Sequence, residues 1–222
     1  MTSDTDDCSA FNARFIEREQ AERYRDRYRI GRRARIDSRE REVLRDLLEA
    51  VGHVSVALDI PGGTGRLTSL IAEISDRVIL ADRSPVMLEV AREDLLAIHA
   101  EYLETDAQSI SLETGSVDLV FSHRFLHHIH DGEARARVFR EFARVSRRYV
   151  VVSYYTPGFR DRFRYACSRA IPGAARRDRP ATVARFFEEA AAVGLVPKHV
   201  RFLRRFPLKA LFCLFDHSVP TR

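Results

Sequence analysis

Lysine is nearly absent from this chain: Lys198 and Lys209 are the only two, in a sequence rich in arginine. A phosphate loop of the form G-x-x-x-x-G-K-[ST] needs a lysine at a helix start, and none occurs before Lys198, which excludes that chemistry. Cysteine is also sparse. Cys8, Cys167 and Cys213 are odd in number, far apart and outside any C-x-x-C, which excludes a disulfide framework and a zinc knuckle and suits a reducing compartment. Long apolar runs are missing: the longest, Leu208 to Phe215, contains Lys209 and is far too short to cross a bilayer. No internal repeat, linker or low-complexity segment interrupts the chain, and the acidic, polar start from Met1 to Ala10 does not have the form of a signal peptide. A cytoplasmic location is expected.

What is present is ordinary for one globular α/β domain: 222 residues, 45% hydrophobic and 31% charged. A net charge of +5 permits an anionic substrate or surface without requiring one. The pattern centres on Val54 to Arg66, where an apolar, β-branched run ends in Asp59 and turns through Gly62, Gly63 and Gly65. Apolar residues at Leu67, Leu70 and Ile71 then set a helical period, giving a strand, a tight turn and a helix start. Glycines let backbone approach a ligand where a Cβ would collide. The dinucleotide fingerprint G-x-G-x-x-G fits neither register, since the required positions fall on Pro61, Gly63 and Arg66 or on Gly63, Gly65 and Thr68.

The segment Asp59-Ile-Pro-Gly-Gly-Thr-Gly65 resembles motif I of class I S-adenosylmethionine (SAM)-dependent methyltransferases, written D-x-G-x-G-x-G, with Pro61 in place of the first glycine. The resemblance implies a loop that cradles the methionine part of SAM, with Asp59 towards its ammonium. A second apolar run, Arg77 to Asp82, ends in a carboxylate 23 residues after Asp59, close to the spacing at which an acid meets a ribose diol. Ala81-Asp-Arg-Ser-Pro-Val-Met-Leu88 resembles the segment after strand two in this family, Ser84 capping a helix and Pro85 opening it. His99 to Glu104 reads as a third strand before Thr105-Asp106-Ala107, where the family places an acid and a backbone N–H against adenine. Val117 to Ser122 is the fourth strand. The residues expected around SAM are thus Asp59, Pro61, Gly63 and Gly65, then Asp82 and Arg83, then Asp106, Ala107 and Ser122.

After strand four comes His123-Arg-Phe-Leu-His-His-Ile-His130, which in the family faces the reacting methyl. Four histidines suggest a metal, but no Cys, Asp or Glu with ligand spacing accompanies them before Asp131, and no metal is expected. His123, nearest the strand end, is the candidate general base, and Tyr154, ending a fifth strand from Arg148, a second acceptor-side residue. The segment carries no [DNS]-P-P-[YFW], no Pro-Cys nucleophile, no strand-ending Asp and no paired-glutamate loop. Common amino-methylating nucleic-acid enzymes, cytosine C5 enzymes, cation-dependent catechol enzymes and protein arginine enzymes are disfavoured accordingly.

The expected architecture is a doubly wound, seven-stranded, mostly parallel sheet with helices on both faces and a C-terminal antiparallel hairpin. Residues 1–10 read as a disordered tail and 11–222 as one domain. Seven arginines between Arg23 and Arg35 mark residues 11–51 as a helical lid, within which Asp37-Ser-Arg-Glu40 reads as a capping box opening a second helix. Asp131 opens a helix with Val138, Phe139, Phe142 and Val145 on one face. Residues 158–180, aromatic and arginine-rich, read as a substrate-side insertion. Ala181 to Ala192 forms the last helix, and Val196–Phe206 and Leu208–Asp216 form strands around Pro207. The expected reaction is methyl transfer to O or N on a small anionic metabolite or lipid head group. RNA methylation through the arginine-rich segments and a non-catalytic SAM-binding module are the alternatives.

Overall fold

A computed structural model describes residues 17–155, 167, 182–204 and 210–217. The expected tail at 1–10, the insertion at 158–180 apart from Cys167, and the junction at Pro207 lie outside the described residues. In chain order the elements are α1 (Arg18–Asp26), α2 (Gly31–Val51), β1 (Val54–Asp59), α3 (Thr68–Ala72), β2 (Ser75–Asp82), α4 (Pro85–Asp94) and β3 (Ala100–Glu104). They continue with β4 (Val117–Ser122), a 3-10 turn (Leu126–His128), α5 (Gly132–Val145), β5 (Ser146–Tyr155), α6 (Val183–Ala191), β6 (Val196–Arg204) and β7 (Ala210–Asp216).

The seven strands form one sheet in the order β3-β2-β1-β4-β5-β7-β6. β1 to β5 run parallel, whereas β7 pairs antiparallel with both β5 and β6, so the chain ends in the expected hairpin. Connections leave β1 towards β2 on one side and β4 towards β5 on the other, making the β1/β4 boundary a topological switch point. Register aligns the strand ends there, with Asp59 opposite both Leu80 and Phe121.

Both faces of the sheet are covered, which is why β5 is buried almost without interruption from Tyr149 to Tyr154. One face packs Ala57, Val78, Leu119, Phe121, Val151 and Phe212 under α2 and α3, and α4 continues that layer over Leu80. The other packs Leu58, Val120, Val152 and Leu211 under α5 and α6 through Val138, Phe139, Phe142 and Phe186. The caps on α4 and α5 form as the sequence implies: Ser84 Oγ accepts from Met87 N–H, and the Asp131 carboxylate accepts from Glu133 and Ala134 N–H.

One cap does not form. α2 begins at Gly31, not at Asp37, so Asp37 and Glu40 sit inside the helix. Their carboxylates have stronger partners than a helix N-terminus, because arginines from the glycine turn and from the segment after β4 bind them. α2 buries Leu44, Leu47, Leu48 and Val51, a helical stripe that carried back one turn reaches Glu40, itself fully buried. Since α2 leads directly into β1, its first half lies over the carboxyl edge of the sheet and its second half over the amino edge.

Candidate active site

The turn after β1 extends the sheet before it breaks away. Ile60 N–H donates to Phe121 O at 2.9 Å and Gly62 N–H to Ala81 O at 2.8 Å, and Gly65 N–H then closes a turn on Gly62 O at 3.0 Å. Gly63 and Gly65 have φ of +58° and +74°, a region that side chains rarely adopt. A Cβ at Gly63 would meet nothing within 4 Å, so the space over that residue is open to a ligand.

Two buried carboxylates support the turn. Asp59 accepts from Thr68 Oγ1 at 2.7 Å, and Asp82 accepts from Gly63 N–H and Ser84 N–H, each at 2.9 Å. Burial pushes the Asp59 carboxyl up to about 7, against the lowering effect of the Thr68 hydrogen bond and with a smaller push from Asp82. Burial likewise raises Asp82 to about 6, opposed by backbone N–H groups of Ser84, Gly63 and Arg83. Beyond β3, Asp106 accepts from Gln108 N–H at 2.8 Å and pairs with Arg83 at 3.2 Å, with Ala107 buried beside it. The Ser122 hydroxyl is buried at the end of β4 and has no hydrogen-bond partner among the described residues. Pro61 lines a small cavity with Tyr24, Asp59, Arg66 and His123. α1 carries Tyr24 to that wall and is held on α4 by Arg18–Glu93 and Arg25–Asp94 pairs and by Ala21 against Met87 and Val90, with Arg29 of the following turn also on Asp94.

Across β4 the site is built around a residue that sequence reasoning missed. Glu40 has no exposed surface, and four groups converge on its carboxylate: Arg124 on Oε1, Tyr155 Oη on Oε1 at 2.6 Å, Arg66 Nη2 on Oε2 at 3.0 Å and His123 Nε2 at 3.4 Å from Oε2. Burial alone would raise its pKa, but His123, Arg124 and Arg66 together hold the carboxyl far below its ordinary range. Arg66 also pairs with Asp37, and Arg41 of α2 donates to Arg66 O, so the glycine turn is clamped to the helix. Arg124 sits at φ +55°, its N–H on Ser153 Oγ at 2.7 Å, and its guanidinium donates to Tyr28 Oη and lies 5.3 Å from the Tyr155 ring. Positive φ at a bulky residue is costly and persists only when its surroundings fix it.

His123 continues the alternation of β4 and lies on the same face as Phe121. Its ring is parallel to Phe212 at 5.5 Å, and burial lowers its pKa to about 4 despite the Glu40 carboxylate. The imidazole is therefore neutral at pH 7, and its buried Nδ1 has no partner among the described residues. Tyr154, expected on the acceptor side, is buried on the opposite face against Phe186 at 4.6 Å. The reason is the pleat: neighbours on a strand point to opposite faces, so Tyr155 and not Tyr154 joins Glu40 and His123. Of the other histidines, His127 packs at a tilt against Tyr155, with ring centres 4.8 Å apart, and against His128 at 4.0 Å. Among the described residues no three ligands gather to hold a metal.

The arrangement is therefore two adjoining compartments at one sheet edge. One offers a glycine turn, two carboxylates and a carboxylate–arginine pair; the other offers a neutral imidazole over a buried ionic cluster. Residues 58–151 match the family model described as a methyltransferase domain. No curated protein matches the sequence. Among solved structures, the chain is similar to magnesium protoporphyrin IX methyltransferase from Synechocystis PCC 6803 with bound SAH, with a TM-score of 0.74 and 17% identity over 96% of this chain and 100% of that one. It is also similar to the N-methyltransferase NodS from Bradyrhizobium japonicum, with a TM-score of 0.60 and 17% identity over 81% and 96% of the two chains. A third similar structure is a sarcosine dimethylglycine methyltransferase, so described as putative, from Galdieria sulphuraria, with a TM-score of 0.63 and 16% identity over 81% and 86%.

Proposed function

We propose that this chain, which carries a class I SAM-dependent methyltransferase domain, moves the methyl group to an oxygen or nitrogen on a small anionic metabolite or lipid head group. SAM, when bound, supplies a methyl on a sulfonium, which an aligned acceptor displaces. The residues present fit that group. The space over Gly63 is open, the Asp59 and Asp82 carboxylates suit an ammonium and a ribose diol, and the orphaned Ser122 hydroxyl lies at the same edge. Asp106 and Ala107 would hold the adenine, with Arg83 orienting Asp106.

The chain's own task is then to align the acceptor and exclude water, which can supply roughly 7–11 kcal/mol of the barrier. The observation that carries the reading is the neutral, buried imidazole of His123 beside the cofactor compartment, its Nδ1 without a hydrogen-bond partner among the described residues. Its Nε2 lies 3.2 Å from Arg124 Nε and 3.4 Å from Glu40 Oε2; with the ring proton on Nε2, towards Glu40, Nδ1 is the basic nitrogen that meets the acceptor. His123→Ala should lower turnover about a hundredfold or more for an acceptor that must lose a proton, with affinity for S-adenosylhomocysteine preserved. Unchanged turnover removes His123 from the reaction.

The two raised carboxyls give a pH dependence. An ammonium and two ribose hydroxyls are donors, so the bound state favours Asp59 and Asp82 ionised. With folded values of about 7 and about 6, affinity for S-adenosylhomocysteine should be highest above pH 7 and fall as the pH drops through 7 and 6. The slope is about tenfold per pH unit for each proton displaced. Calorimetric titration between pH 5.5 and 8 measures it, and a flat profile would place both carboxylates outside the binding contacts.

A further inference from the structure

The first half of α2 has an outer face of one sign only. Arg32, Arg35 and Arg39 recur at i, i+3 and i+7, with Arg33 beside them, and all four are exposed. None of them has an ion pair or hydrogen bond among the described residues, whereas Arg18, Arg23, Arg25 and Arg29 on the neighbouring stretch all have carboxylate partners. The cause lies inside the helix. Asp37 and Glu40, two of the acids nearest this face, are turned inward and consumed by Arg41, Arg66 and Arg124, and the exposed Glu42, three residues after Arg39, pairs with none of the four among the described residues.

At the tip of this face Ile30 is 79% exposed, directly before the helix. The aromatic residues nearby are not available for stacking: Tyr28 is buried, with the guanidinium of Arg66 4.5 Å from its ring, and Tyr24 lines the cavity wall. A cationic face with an exposed aliphatic tip and no stacking platform matches an anionic bilayer better than single-stranded RNA, which is held by aromatic stacking. We propose that Ile30, Arg32, Arg33, Arg35 and Arg39 form a docking surface for an anionic lipid bilayer. The opposite face of the same helix carries Asp37 and Glu40 into the site, so the docked helix lies between the bilayer and the ionic cluster it helps to build. This deepens the lipid branch of the proposed function, but the surface itself is tested without turnover.

The test is sedimentation of the full chain with phosphatidylcholine vesicles, with and without a third of phosphatidylglycerol, at low, physiological and high ionic strength. Binding is expected only with the anionic lipid and should weaken as salt rises. Each arginine near the surface contributes about fivefold, so the combined Arg32→Gln, Arg33→Gln, Arg35→Gln, Arg39→Gln variant should bind several-hundredfold more weakly, and Ile30→Ser about tenfold more weakly. A charge-matched control, Arg45→Gln, Arg92→Gln, Arg137→Gln, Arg201→Gln, should keep most of the binding. No binding to anionic vesicles, equal loss in the control, or tight binding of an unstructured RNA with none to vesicles would each overturn the proposal. Because S-adenosylhomocysteine affinity is measured separately on the same variants, failure of the surface and failure of the methyltransferase reading are told apart.

Discussion

Replacing Glu40 by leucine should destabilise the protein by about 3–5 kcal/mol, a large part of the stability of a typical domain. The shape of the side chain is nearly kept, so the loss is electrostatic. Arg66 and Arg124, both mostly buried, would be left facing each other with their shared carboxylate gone. Glu40→Gln keeps the acceptor oxygen for one arginine and for Tyr155 but loses the charge, and should cost less. The sign of the pH effect follows from the same contacts. The folded-state pKa of Glu40 is depressed below the ordinary 4.5, so its stabilising contribution is complete above that pH and is lost as the pH falls below it. Both proteins share the raised Asp59 and Asp82 carboxyls, which favour the folded state as the pH falls from 7, so the Glu40 effect is read as a difference: urea unfolding at pH 7 and well below 4.5 should show the gap between wild type and Glu40→Leu narrowing towards acid. A variant as stable as wild type at pH 7 would mean that the two arginines find water instead.

Gly65→Ala should be nearly as damaging, and Gly63→Ala should not be, although both glycines have positive φ. At Gly65 a Cβ would stand 2.5 Å from Leu95 Cδ1 and 3.2 Å from Leu80 Cδ1. Left-handed backbone costs about 1–2 kcal/mol and overpacking of the α4 contact another 1–3, for a loss of about 2–5 kcal/mol. At Gly63 only the backbone cost applies, since nothing lies within 4 Å of the new methyl. That empty space is where the cofactor reading puts its ligand, so Gly63→Ala should remain folded and lose S-adenosylhomocysteine affinity. Thermal unfolding combined with calorimetry separates the two. If Gly63→Ala binds as wild type does, the ligand does not pass over the loop.

The strand ends were readable because their signals are local and redundant. Asp59 and Asp82 each end an apolar run, Asp106 follows the third strand, and the parallel pairing of β1 with β2 sets the first two at one edge, where Asp82 takes the Gly63 N–H and Asp59 the Thr68 hydroxyl. The caps at Ser84 and Asp131 were readable for the same reason. Asp37 and Glu40 carry the same pattern as a true capping box, and nothing within four residues reveals that Arg66 and Arg124 compete for them. A longer window does give a signal: Glu40, Leu44, Leu47, Leu48 and Val51 form one stripe, and a carboxylate on an apolar stripe demands a buried cation. Tyr155 was missed by one residue. A strand read as ending at Tyr154 gives that residue the edge, while β5 extends to Tyr155 and the pleat then exchanges their faces. The left-handed backbone of Arg124 has no sequence signal, because it is imposed by distant partners on β5, on α2 and in the turn between α1 and α2.

The C-terminal hairpin leaves β6 as the outermost strand, with no strand paired beyond it among the described residues. Such an edge invites a strand from another chain to add to the sheet, the first step towards aggregation. Here Pro197 removes a backbone donor near its start, and Lys198, His199 and Arg201 follow within the strand, with register shifts at Pro197/His199 and Phe202/Arg204. An irregular, cationic edge of this kind repels its own copy and offers no even ladder to extend. Among the described residues this border of the sheet thus carries its own guard against strand addition.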